Sequence, residues 1–89
     1  MEFKYVIVKH RGMECPILFS KFLSHDDFLN HSPISAGFVS IHKPEKETMT
    51  SDGIIRDIEF VTYGKSVSLQ LNSRPEDAKI IERDYEFRV

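Results

Sequence analysis

Residues 56–72 read Arg56-Asp57-Ile58-Glu59-Phe60-Val61-Thr62-Tyr63-Gly64-Lys65-Ser66-Val67-Ser68-Leu69-Gln70-Leu71-Asn72. Apolar and polar side chains alternate on both sides of Gly64-Lys65, the period of a strand with one buried face. A two-residue turn with glycine first suits type II′ geometry, so the stretch predicts a tight hairpin pairing Tyr63 with Ser66. Phe60 then faces Leu69 and Ile58 faces Leu71. A one-residue slip would expose the apolar set, so the register is self-consistent. Val61, Tyr63, Ser66 and Ser68 are left together on the other, semi-apolar face.

Working outward, Phe3-Lys4-Tyr5-Val6-Ile7-Val8 is β-branched and aromatic and reads as a strand. Arg11-Gly12 precedes the run Cys15-Pro16-Ile17-Leu18-Phe19, which predicts a first hairpin with Lys9 opposite Glu14 and Val8 opposite Cys15. Pro16 has no N–H to give a ladder, so its strand belongs at a sheet edge or carries a bulge. A middle strand is expected over 34–42, around Phe38, Val39 and Ile41. Residues 43–53 hold one large apolar side chain and predict a mobile loop.

Two helices are expected. Ser24 caps a short one over 24–31, with Asp26 and Asp27 at the positive end of its dipole. A longer one over 75–85 follows Ser73 as cap, with Pro75 in an early position and Glu76 completing a capping box. Ala78, Ile81 and Tyr85 recur at helical spacing, and the tail from Glu86 alternates like a short edge strand. The predicted architecture is one α+β domain over residues 1–89. About five strands form a mostly antiparallel sheet, with both helices packed on one face. The expected core is Val6, Val8, Ile17, Phe38, Val39, Ile41, Ile58, Phe60, Val67, Leu69, Leu71, Ala78 and Ile81.

The chain has 89 residues, with 12 Lys+Arg against 14 Asp+Glu, four glycines and four prolines. These values describe an ordinary folded chain of one domain's size. No run approaches the roughly 20 apolar residues of a membrane span. Glu2, Lys4, Lys9, Arg11 and Glu14 break any apolar leader core, so the expected compartment is the cytoplasm. The single cysteine, Cys15, can form no internal disulfide and reads as a small buried hydrophobe.

Chemistry-bearing patterns are sparse. His25, Asp26, Asp27 and His31 are the densest group of metal-ligand types, and the four-residue spacing of Asp27 and His31 places them on one helix face. A zinc site needs three or four ligands, and a capped surface helix explains the same residues without metal. Gly64-Lys65-Ser66 matches the end of a phosphate-binding loop, but the preceding glycine spacing is missing and a strand follows instead of a helix. No Gly-x-Ser-x-Gly elbow is present. Residues 1–43 sum to +1 (five basic, four acidic) and 44–89 to −3 (seven basic, ten acidic), so neither half offers the basic footprint that nucleic acid demands.

The segments Ser35-Ala36-Gly37-Phe38-Val39, Gly64-Lys65-Ser66-Val67-Ser68-Leu69 and Ser73-Arg74-Pro75-Glu76-Asp77-Ala78 resemble a pattern in small uncharacterised proteins of bacteria and their phages. The resemblance covers about half the chain and fits least over 43–53. It implies a compact accessory protein, phage- or mobile-element-encoded, and carries no activity, cofactor or catalytic residue. The expectation is therefore a non-catalytic protein that binds a host protein, pairs with itself, or both, and needs no cofactor. Its contact residues are Val61, Tyr63, Ser66 and Ser68. A metal-dependent enzyme around His25, Asp27 and His31 is the alternative, and a nucleic-acid-binding module the second.

Overall fold

The computed structural model describes residues 1–43, 48–49, 53–56, 58–85 and 87–88. Strand β1 (Glu2–His10) runs into β2 (Met13–Phe19) through Arg11 and Gly12, both at positive φ. Two consecutive positive φ values match the right-handed twist of a hairpin, and glycine takes the second at no steric cost. The register has the expected Lys9 opposite Glu14 and Val8 opposite Cys15, and β2 lies at the sheet edge as Pro16 requires. A 3-10 helix follows at His25–His31, where the Ser24 hydroxyl accepts the Asp26 N–H at 3.2 Å. Strand β3 (Pro33–His42) then returns antiparallel to β1.

The remaining strands are β4 (Thr48–Met49), β5 (Ile54–Arg56), β6 (Glu59–Tyr63), β7 (Lys65–Ser66), β8 (Leu71–Asn72) and β9 (Phe87–Arg88). Helix α1 (Asp77–Asp84) lies before the last. All described pairings are antiparallel. The main sheet has the order β2-β1-β3-β6, a smaller one β4-β5-β9, and β7 pairs with β8. The architecture is α+β. The expected 43–53 loop lies largely outside the described residues, and within it Thr48–Met49 pairs with Ile54–Arg56. The tail strand falls at the edge of the smaller sheet, as its alternation predicts.

The 56–72 hairpin does not form. β6 pairs instead with β3, setting Phe38 opposite Tyr63 and Ile41 opposite Phe60. After Gly64 the chain leaves the sheet, and only Lys65 and Ser66 pair back with Asn72 and Leu71. Residues 67–70 form a turn, with Gln70 at φ 55°. Val67 is 78% exposed and leaves the expected core, whereas Leu69 and Leu71 tuck against Val6, Val8 and Ala36. The physical reason is competition. The edge of β3 gives β6 five paired residues, and the freed 67–71 segment then covers apolar surface that a hairpin would have left wet. Ser73 closes the excursion, its N–H and hydroxyl both donating to the Gly64 carbonyl at 3.1 and 2.8 Å.

The two helices lie on opposite faces of the sheet, not on one. Along β1, Tyr5 and Ile7 face Ile81 of α1, together with Val39 and Ile41 of β3. Val6 and Val8 face the other way, toward Phe19, Ala36 and the Phe28 ring of the 3-10 helix. Sandwiched on both faces, β1 is buried continuously from Tyr5 to Val8, so Tyr5 and Ile7 join the core alongside the expected Val6 and Val8. Cys15 packs half-buried against the second cluster, as a small hydrophobe would.

Helix α1 is anchored by charge. Its cap is not Ser73. The Asp77 carboxylate reaches back to the Arg74 N–H at 2.9 Å and grips the Arg74 guanidinium at 2.9–3.0 Å. Asp77 thus takes the reciprocal role expected of Glu76, one residue later. Fully buried, it also accepts the Tyr5 hydroxyl at 2.6 Å, and Arg74 continues to the Glu14 carboxylate at 2.8 Å. One chain of polar contacts therefore joins β1, the start of α1 and the edge strand.

Burial first, and then the hydrogen bond to Asp77, push the Tyr5 phenol far above its ordinary value near 10. A raised folded value means that this group's contribution is fully present below pH 10 and is lost as pH climbs through the raised value. In a spectrophotometric alkaline titration, Tyr5 should ionise only together with unfolding. Tyr5→Phe should remove that phenolate signal from the cooperative step. A Tyr5 signal appearing while the circular dichroism is still native would contradict the buried network.

Candidate functional site

On the face covered by the 3-10 helix, the cover is partial. It reaches Val6, Val8 and Ala36, and its His25 ring meets Phe38 edge-on, but Val61 and Tyr63 on β6 stay exposed. Strand alternation and register place Glu2, Ser40 and Val61 in one cross-strand row there, and Lys4, Phe38 and Tyr63 in the next. Val61 and Tyr63 are each 40% exposed, and Phe38 and Ser40 are half-buried between them and β1.

The side chains in this half are held from several directions. The Phe38 and Tyr63 rings stack with centroids 5.7 Å apart at 20°. The Tyr63 hydroxyl donates to the Glu2 carboxylate at 2.8 Å, and this bond, ahead of the slight burial of the ring, raises the phenol above its ordinary value. Lys4 Nζ donates to the Leu23 carbonyl at 2.7 Å, and the Ser40 hydroxyl and His42 Nε2 share a 2.9 Å hydrogen bond. Gly37 and Gly64 make the arrangement possible. A Cβ at Gly37 would sit 2.7 Å from the Tyr63 carbonyl oxygen, and one at Gly64 would press the Phe38 ring at 3.0 Å.

Of the expected contact residues, Val61 and Tyr63 fall on this open half. Ser66 does not serve as a contact, because it is buried in β7, where its hydroxyl accepts the Leu69 N–H and lies 3.3 Å from the Ser68 hydroxyl. Ser68 is exposed in the 67–70 turn, outside the β6 row, because the hairpin that would have aligned them is absent. A shallow depression of about 340 Å³ lies beside that turn, lined by Lys65, Ser66, Val67, Gln70 and Asn72. Phe38, expected in the core but half-buried here, completes the face with Ser40 and Glu2, which the sequence does not single out. Their signal was the alternation of β3, which becomes informative only once β3 is placed beside β6.

Comparison with protein families, curated proteins and solved structures finds no match to the chain. The site must therefore be read from its own side chains. His25, Asp27 and His31 do not form a ligand set. His25 is only 5% exposed, its Nε2 lies 2.9 Å from the Gly37 carbonyl oxygen, and its ring meets Phe19 and Phe38 edge-on. Asp27 and His31 remain on the exposed surface. Among the described residues no three His, Cys, Asp or Glu side chains come together as a metal site would need, and no helix is long and apolar enough to cross a membrane.

Chemically, the open half offers apolar area, one fixed aromatic hydroxyl and a mixed polar rim. The Ser40 hydroxyl and the His42 imidazole add a hydrogen-bonded polar pair on the same face. Flat and amphipathic, it suits contact with another macromolecular surface more than enclosure of a small substrate.

Proposed function

We propose that the chain is a non-catalytic protein-binding accessory domain that docks through the open half of this sheet face. The observation that carries the reading is the pair Val61 and Tyr63, exposed side by side on β6 with the Phe38 ring stacked against Tyr63. Tyrosine supplies large amphipathic contact area and is enriched where interfaces concentrate their binding energy. Glu2 and Phe38 already hold the Tyr63 ring, so little rotamer freedom remains to be lost on docking. The near-neutral charge supports a protein partner over nucleic acid. In the phage or mobile-element setting that the sequence resemblance implies, the partner is a host protein, with self-association through the same face as a second mode.

The test is a pair of substitutions, Val61→Asn and Tyr63→Asn, compared with the native chain by affinity capture and by light scattering. Both positions are substantially exposed, so the native circular dichroism spectrum should persist. Captured partner or self-association should fall at least tenfold. Equal association by native and variant proteins would remove this face from the reading.

A further inference from the structure

The main sheet ends on one side at β2, and in an antiparallel pair alternate residues turn their main-chain groups away from the partner strand. The Leu18 N–H points outward, since it donates to the Tyr85 hydroxyl at 3.3 Å, so Glu14, Pro16 and Leu18 form the outward set. The Glu14 carbonyl accepts Arg83 Nη2 at 2.8 Å, and Pro16 has no N–H. Arg83 is itself held by both carboxylate oxygens of Asp84, at 2.8 and 3.2 Å. The end of α1 thus occupies an outward donor and an outward acceptor on either side of a proline.

An exposed strand edge is a template for another strand. A second copy of β2, antiparallel and two-fold related about Pro16, would set Glu14 of one chain opposite Leu18 of the other. That pairing would join the Leu18 N–H to the partner's Glu14 carbonyl, twice over by symmetry. These are the two groups that Tyr85 and Arg83 occupy. We infer that Arg83 and Tyr85 are a guard that withholds the β2 edge from strand addition by a second copy of this chain. The guard sits on the opposite side of the main sheet from β6, so it is separate from the docking half around Val61 and Tyr63.

The experiment removes the guard and keeps the fold. Tyr85→Phe deletes one hydroxyl and leaves the ring that packs on the core, and Arg83→Ala changes an exposed residue. Both are placed in a Val61→Asn/Tyr63→Asn background, so that association through the other face cannot contribute. Mass by light scattering and amide exchange at Leu18 are followed against concentration. The expected result is a doubling of mass with rising concentration, with the Leu18 amide becoming protected in step, while the parent protein keeps its mass. Adding Pro16→Val should move the doubling to lower concentration by restoring the missing donor. A folded variant that keeps the parent's mass throughout, or associates with the Leu18 amide still exchanging fast, overturns the inference. Should the double change unfold the chain, Arg83→Met with Tyr85→Phe, which keeps the Arg83 stem and removes its donors, is read by the same two measurements and judged by the same outcomes.

Discussion

Asp77→Ala should lower the stability of the domain by about 3–5 kcal/mol, the cost of breaking a buried charge network by removing one partner. Small domains are stable by only about 5–15 kcal/mol, so the variant should be partly unfolded at ordinary temperature. The size of the effect follows from what is stranded. The Tyr5 hydroxyl, with the whole residue sealed from solvent, loses the acceptor 2.6 Å away. The Arg74 guanidinium and N–H lose their carboxylate together, and the turn that leads into α1 loses the brace that holds it. Asp77→Asn should cost less, because an amide oxygen still accepts from Tyr5 while the charge is lost. Urea denaturation gives the midpoints, and a double-mutant cycle gives the coupling. Tyr5→Phe should cost clearly less in the Asp77→Ala background than in the native chain. Additive costs, or an unchanged midpoint for Asp77→Ala, would show that the network contributes nothing to stability.

That network also marks the limit of what the sequence discloses. Local features were legible in detail: the β1–β2 register, the edge position forced by Pro16, and the Ser24 cap each depend on residues within a few positions of one another. Pairings between distant segments were not. The alternation over 56–72 is satisfied equally by a local hairpin and by β6 lying on β3, and only the second lets Leu69 and Leu71 cover Val6 and Val8. In sequence Asp77 is one more carboxylate at a helix start, because its role depends on Tyr5, 72 positions away. A signal for β1 was nevertheless present. An unbroken apolar run, Tyr5 to Val8, is the mark of a central strand covered on both faces, whereas a half-exposed strand alternates. At the candidate site the same division holds. Val61 and Tyr63 were legible from β6 alone, while Phe38 and Glu2 required the β1–β3–β6 order, and Ser66 was lost with the hairpin that would have displayed it.

Ile81→Ala tests the other half of the architecture, the helix packed against the sheet. Ile81 is the only fully buried apolar side chain of α1, and it is enclosed by Tyr5, Ile7, Val39 and Ile41. Truncating an isoleucine in such a site costs about 2–5 kcal/mol, from lost transfer energy and from the cavity left behind. The upper part of that range is expected here. The sheet below is held by main-chain pairing on both sides of β1, and α1 is fixed at its start by Asp77 and at its end by Arg83 and Tyr85, so neither layer can collapse into the void. Ile80→Ala, at a half-buried position on the same helix, serves as the comparison and should cost distinctly less. Thermal and urea midpoints read both. If the two variants lose equal stability, the helix is packed loosely enough to shift, and the rigid support that Arg83 and Tyr85 need in order to guard the β2 edge would be absent as well.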